Sequence, residues 1–287
     1  LGFEHSDNLG RRVLDPRAGN RISPYVDLSA NQSGETLQAV IAGSLAYNRY
    51  TAVDFDPNLS TNFGAELTWQ LLPGRVLWTL EDFATEQPID IFASGRPDNV
   101  QNANVFATGP VFLYRITENL GGRTELRYVN SYAEETEAFN SDRFALTTRM
   151  LRNLGPVSTL SGNASLEAVR LDNPTETAPD FNRVGVFAGY DRRGPNINWH
   201  VDLGWNRVDA DGLERREGVL ARATASVVLS EISTLEASLR RELSDAAADL
   251  GAGAPDVDAL LAPRSGGRAG GVSTLGGEVF ELDRLDL

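Results

Sequence analysis

Cysteine is absent from the 287 residues of the chain, so neither a disulfide nor a thiolate metal site can form. Lysine is absent too, and all 26 basic residues are arginine. The two histidines, His5 and His200, are too few for a histidine-rich metal site. No apolar run approaches the roughly 20 residues that a helical membrane span needs. The net charge of −14 argues against a nucleic-acid partner, because nucleic-acid-binding proteins carry a basic face.

The sequence does contain apolar and polar residues that alternate with a period of two. From 197 to 205 apolar side chains occupy the odd positions, and His200 and Asp202 stand between them. The segments 160–168 and 219–227 repeat this pattern. A helix would need apolar residues at spacings of three and four. The alternation therefore predicts β-strands that each carry one apolar and one polar face.

The links between these segments alternate in length. We predict fourteen strands, with approximate ends: 1–9, 22–32, 36–50, 61–71, 75–87, 101–116, 122–133, 141–153, 158–171, 180–192, 196–208, 215–229, 233–243 and 277–287. Links after even-numbered strands are short, and Gly or Pro supplies most of their turns, as at 72–74 and 193–195. Links after odd-numbered strands are generally longer and acidic, as at 88–100 and 172–179. This segregation is typical of an all-β, antiparallel up-and-down transmembrane β-barrel.

We expect one barrel domain over 1–287. A soluble all-β sandwich or propeller is the alternative, but it gives no reason for long and short links to segregate. Residues 278–287 read as a strand without the usual terminal aromatic residue, so we expect further strands in the full-length protein; a closed 14-stranded barrel is the alternative. The segment 244–276 reads as a long flexible external loop or as an interdomain linker.

Aromatic residues give a second indication of a membrane barrel. Such barrels carry an aromatic girdle at each interface. Trp69, Trp78, Tyr190 and Trp199 fall near the short turns, and Tyr47, Tyr132 and Trp205 fall near the long loops. This distribution predicts a bacterial outer-membrane location, with the N-terminus and the short turns in the periplasm and outer-membrane lipid and lipopolysaccharide around the barrel.

The polar faces carry charges of both signs. Candidate pore-lining residues are Glu66, Glu81, Glu125, Arg127, Arg143, Arg149, Glu167, Arg183, His200, Asp202, Arg222, Glu236 and Arg240. Opposed rows of arginine and carboxylate can select solutes by charge and size. Cross-strand ion pairs can equally satisfy a packed polar interior. Both interpretations stay open at this point.

Signals of enzymatic or metal chemistry are sparse. His200 and Asp202 could serve a serine nucleophile, but no nucleophile-elbow motif accompanies them. We therefore predict no enzyme and no cofactor, with a barrel phospholipase as the enzymatic alternative. Asp209 and Asp211 form a weak calcium candidate that lacks the full EF-hand pattern, and plain solvated turns are the alternative. Pro110 inside a strand predicts a bulge or bend.

Four short stretches resemble one family. The opening residues 1–9, the stretch 105–110 with its Thr-Gly-Pro, the run 235–245 ending in Arg-Glu-Leu-Ser-Asp, and Gly-Glu-Val-Phe at 277–280 are similar to the β-barrel porins of exopolysaccharide-export and PEP-CTERM-associated loci. The resemblance implies an outer-membrane channel for the passage or export of polysaccharide or small polar solutes, with periplasmic export components as partners. No catalytic residues carry over. A non-transporting structural or adhesion barrel with acidic loops is the alternative function.

Overall fold

A computed structural model describes residues 1–10, 16–51, 55–90, 96–175, 179–230, 233–245 and the backbone of 279–286. Fifteen strands and one short 3-10 helix, Glu137–Phe139, form within these residues. The strands are β1 Gly2–Ser6, β2 Gly19–Ser23, β3 Tyr25–Ser33, β4 Leu37–Thr51, β5 Asn58–Leu72, β6 Val76–Pro88, β7 Val100–Arg115, β8 Leu120–Ala133, β9 Ser141–Gly155, β10 Ser158–Leu171, β11 Phe181–Arg193, β12 Ile197–Ala210, β13 Arg216–Ser230, β14 Ser233–Asp245 and β15 Val279–Asp286.

All of these strands belong to one sheet, in which strands pair in sequence order except that β2 and β3 both pair with β4. Every pair is antiparallel, which confirms the predicted all-β, antiparallel up-and-down architecture. Strands β1 and β15 lie at the two edges of the sheet and do not pair with each other in the described part of the chain.

Strands β2 and β3 share one position beside β4, so the predicted strand 22–32 is a single arm interrupted at Pro24. The interruption has a local cause, because proline has no N–H to donate to the ladder. The carbonyl of Pro24 still accepts a hydrogen bond from the backbone N of Tyr47 at 3.0 Å. With β2 and β3 counted as one arm, the sheet has the fourteen strand positions that the sequence predicts.

Long and short links lie at opposite ends of the sheet. Among the links that are described in full, the short ones at one end are 34–36, 73–75, 116–119, 156–157 and 194–196, and those at the other end are 134–140 and 211–215. We name these the short-link end and the long-link end. In one short link Arg75 N donates to Leu72 O at 3.0 Å, with Pro73 and Gly74 between them. Gly74 has φ of 66°, the positive value that the third residue of a type II turn requires.

Of the bulge or bend predicted at Pro110, the structure shows no bulge. Pairing between β7 and β8 stops at Thr108 opposite Tyr128 and resumes at Val111 opposite Glu125, which is the same register. Pro110 therefore interrupts two rungs of the ladder without inserting an extra residue. Gly109 allows this close approach, because a Cβ added there would lie 1.9 Å from the carbonyl oxygen of Leu126.

Two clusters of buried apolar side chains lie near the long-link end. One contains Ala103, Val105, Ala133 and Phe139, and the other contains Val169, Leu171, Phe181, Val208 and Leu243. Among the described residues there is no helix of the length and apolar character needed to cross a membrane. The predicted external loop 244–276 lies outside the described residues except for Ser244 and Asp245, which end β14.

The tight contact at Gly109 predicts a selective loss of stability. We expect Gly109→Ala to lower the free energy of unfolding by about 1–3 kcal/mol, because its methyl group overlaps the backbone of β8. Gly162→Ala is the matched control, since a Cβ at Gly162 has no neighbouring atom within 4 Å. Urea unfolding followed by tryptophan fluorescence measures both variants, and equal midpoints would contradict the described β7–β8 approach.

Candidate functional site

The sheet has two chemically distinct faces. One face, named the apolar face here, presents large apolar side chains that are exposed in all parts of the sheet. Examples from consecutive strands are Leu126, Phe144, Leu166, Val186, Leu203, Val219 and Leu239. Contiguous exposed apolar surface is rare on soluble monomers and marks a contact with a membrane or another protein.

The seven aromatic residues predicted as a girdle all lie on the apolar face. Near the short-link end Trp69 stands directly opposite Trp78, and the rings of Tyr190 and Trp199 are 4.8 Å apart. Trp78 donates its indole N–H to the hydroxyl of Thr108 at 2.9 Å. The remaining three, Tyr47, Tyr132 and Trp205, lie nearer the long-link end. Rings with an apolar body and a polar tip suit the boundary between lipid and water.

The opposite face, named the polar face, carries all thirteen candidate pore-lining residues. Directly opposed pairs link them across the sheet, including Glu66 with Glu81, Glu167 with Arg183, and Asp202 with Arg222. Because side chains alternate along a strand, these pairings fix every charged residue of the set on the same face. The odd or even position of each residue in its strand therefore places all of these residues on one face. The structure brings most of them together in four charged clusters.

The first cluster joins β6 and β8. Arg127 contacts the carboxylates of both Glu81 and Glu125, the latter at 3.4 Å. Arg123 donates to the other oxygen of Glu125 at 2.8 Å. Arg123 is absent from the predicted set, although it lies two residues before Glu125 and the alternation would have placed it on the polar face.

The second cluster is the most buried ion pair of this face. Glu167 accepts from Arg183 Nη1 at 2.9 Å, and its other oxygen lies 3.6 Å from Arg143 Nη1. The Arg143 side chain is only 5 % exposed, so the nearby Glu167 carboxylate stabilises its charge. The Arg183 guanidinium also lies 5.6 Å from the ring centroid of Phe181.

The third cluster surrounds His200. Its Nδ1 lies 2.8 Å from Asp191 Oδ1, and its Nε2 lies 3.0 Å from Asp202 Oδ2. Arg149 Nη2 is 3.4 Å from the other oxygen of Asp191 and donates to the Ser161 hydroxyl at 3.3 Å. Both imidazole nitrogens therefore face carboxylates, and the arrangement is not that of a histidine serving a serine nucleophile. The sequence prediction omitted Asp191, although Asp191 and Arg183 are both odd-numbered residues of β11 and therefore lie on the same face.

The fourth cluster forms where β14 meets β13. Glu242 contacts both Arg222 and Arg240, and its side chain is 6 % exposed. Arg222 also lies 5.5 Å from the centroid of the Phe187 ring. The last candidate, Glu236, stands opposite Ser226 nearer the short-link end. Each of the four clusters thus joins arginine and carboxylate along one strand, between adjacent strands or across one intervening strand, so that charge is compensated within the same face of the sheet.

Asp209 and Asp211 are the weak metal candidate of the sequence, and Asp209 forms ion pairs with arginine. Both oxygens of Asp209 accept from arginine, at 2.5 Å from Arg215 Nε and 2.7 Å from Arg207 Nη2. The hydrogen bond with Asp209 raises the pKa of Arg215 above its usual value. Within the part of the chain that the structure describes, no three His, Cys, Asp or Glu side chains group in a way that could hold a metal ion. The Asp209 carboxylate therefore belongs to an ion pair at the edge of a turn.

The fold and its faces define a class: an antiparallel up-and-down sheet protein with an exposed apolar face and a charged polar face. Compared with known proteins, the chain matches no family model and no curated protein.

The buried Glu167 cluster predicts a large loss of stability on neutralisation. We expect Glu167→Gln to lower the free energy of unfolding by about 3–5 kcal/mol, because it removes the carboxylate charge of a largely buried ion-pair cluster while the arginine charges stay. In contrast, Glu4→Gln removes an exposed pair with Arg21 and should change it by less than about 1 kcal/mol. Chemical denaturation of both variants provides the measurement, and similar small effects would show that Glu167 does not compensate a buried charge.

Proposed function

We propose that this chain forms an outer-membrane β-barrel channel for small polar solutes or polysaccharide. In this proposal the apolar face contacts lipid and the polar face lines the lumen. The observation that carries it is the concentration of exposed leucine, valine and phenylalanine on one face, with the four charged clusters on the other. A soluble sheet would bury its apolar face and expose its charges.

An orientation follows from the same proposal. The short links and the N-terminus lie in the periplasm, and the long links lie outside the cell, as is usual for bacterial barrels. Lipid and lipopolysaccharide surround the apolar face. A groove of about 630 Å³ on that face, between Trp78, Pro110, Leu126 and Phe144, is suited to an acyl chain. Polysaccharide and periplasmic export components are the partners that the family resemblance suggests.

One observation favours a second candidate, a non-transporting structural or adhesion barrel. Several polar-face side chains, among them Arg143 and Asp202, are almost fully buried, and apolar clusters cover parts of the long-link end. A lumen filled by side chains would support this function. The four charged clusters form within the polar face, however, between residues at most two strands apart, and such pairs leave the space in front of the face available to water. We therefore place the channel first.

Ion conductance of the full-length protein separates the two functions. In planar lipid bilayers we expect stepwise current increases, because a hydrated lumen lined by charge conducts ions. Insertion is verified independently by protection of the strands from added protease. Protein that inserts and carries no current at any voltage would leave the adhesion barrel as the better proposal.

Lipid contact at the apolar face has its own test. We expect Leu203→Arg to destabilise the protein in lipid bilayers by about 2–4 kcal/mol, because the arginine would face hydrocarbon. Leu213→Arg is the matched control, since Leu213 is exposed in the link 211–215 after β12. Reversible unfolding in bilayers gives both free energies. Equal and negligible effects would place the apolar face in water or against another protein.

A further inference from the structure

One long link folds over the polar face instead of extending away from the sheet. The segment 134–140, between β8 and β9, places Phe139 against Ala103, Val105 and Ala133. These three residues occupy polar-face positions of β7 and β8, and Phe139 is only 1 % exposed. We name 134–140 the inward segment. These contacts hold the segment against the polar face near the long-link end.

Gln101 holds the inward segment in place. Its side-chain oxygen accepts from the backbone N of Glu135 at 2.9 Å and of Thr136 at 3.0 Å. Its amide nitrogen donates to the Thr136 hydroxyl at 2.7 Å. Gln101 is 2 % exposed, so loss of these bonds would leave its buried amide without these partners, which is costly.

The far end of the segment is fixed independently. Asn140 accepts from Ala133 N through its side chain at 2.6 Å, which closes the segment on itself. The carbonyl of Asn140 accepts from Asp172 N, and Glu137 accepts from the Asn173 side chain, both at 3.0 Å. Two neighbouring links therefore support each other. The link 211–215, by comparison, is exposed along its whole length.

We propose that the inward segment is a fixed constriction that sets the size of solute the channel admits, with Gln101 as its positioning residue. This inference rests on the proposed channel function. A segment held by buried bonds at both ends keeps one position, and the narrowest part of a pore determines both conductance and the largest solute that enters. The solute that passes is hydrated and polar, and it is narrower than the opening beside the inward segment.

Three variants test the positioning role. Gln101→Leu removes all three bonds and should raise single-channel conductance by about twofold and admit larger neutral polyethylene glycols, as the narrowest section widens. Gln101→Glu keeps an acceptor for both backbone N–H groups and should restore wild-type values. Gln87→Leu is the matched control, because Gln87 lies directly opposite Gln101 on the same face and the bonds to the segment come from Gln101.

A labelling experiment avoids any dependence on destabilised variants. The chain has no cysteine, so Ala138→Cys introduces a single thiol on the inward segment. Modification of that thiol with a bulky charged thiosulfonate should cut conductance by about half or more if the segment borders the passage. The control Leu213→Cys, on the exposed link, should keep its conductance after the same treatment.

The outcomes separate the two proposals. Wild-type protein that inserts without conducting removes the channel function itself. Protein that conducts, with Gln101→Leu and labelled Ala138→Cys both equal to wild type, retains the channel and overturns the constriction. Wider solute access in Gln101→Leu, together with rescue by Gln101→Glu and block at Ala138→Cys, supports both.

Discussion

The constraint on which this structure depends is the register of its strand pairs. In a β-ladder each residue stands opposite one partner, and successive side chains point to opposite faces. A slip of one residue between β12 and β13 would move Leu203 onto the charged face and Asp202 onto the apolar one. Both moves are costly, because the first exposes apolar surface to charge and the second takes an unpaired carboxylate into apolar surroundings. The alternation of apolar and polar residues therefore fixes the register of the strands. The register in turn determines which charged residues lie next to each other.

Charge compensation on the polar face follows directly from this register. Glu167 reaches Arg183 because the two are paired residues, and it reaches Arg143 because β9 lies on the other side of the same strand. The same face brings Glu242 to Arg222 on β13 and to Arg240 two residues earlier on β14. Contacts of this kind within one face need no partner from the far side of an enclosed space. These contacts order the side chains of the polar face. The width of any enclosed space is set by the number of strands.

Local alternation was sufficient to predict the fold and most of the polar face. Arg143, Glu167 and Arg183 could be placed on one face because parity is a local property. Asp191 and Arg123 obey the same parity and could have been found by extending it to every charged residue. The break at Pro24 and the unbroken register at Pro110 could not be predicted from the sequence. Proline removes one N–H in both cases, and whether the chain then bulges depends on the neighbouring strand. The inward segment had no local signal either, since Gln101 lies 34 residues before Glu135 in the chain.

The distribution of polarity along the polar face bears on the choice between a channel and a filled barrel. Burying an ion pair is costly, and a dry interior is generally more stable with apolar residues at the same positions. The face nevertheless combines apolar packing around Phe139 and Phe181 with charged clusters, one of which lies directly beside Phe181 while others lie further along the strands. A barrel filled only for stability would extend the apolar packing, because that packing is already available to it. A water-filled passage suits charges on its wall, since the more exposed of them, such as Arg127 and Arg222, retain contact with water. The presence of charged side chains where apolar packing is available is thus the physical argument that favours passage over structure.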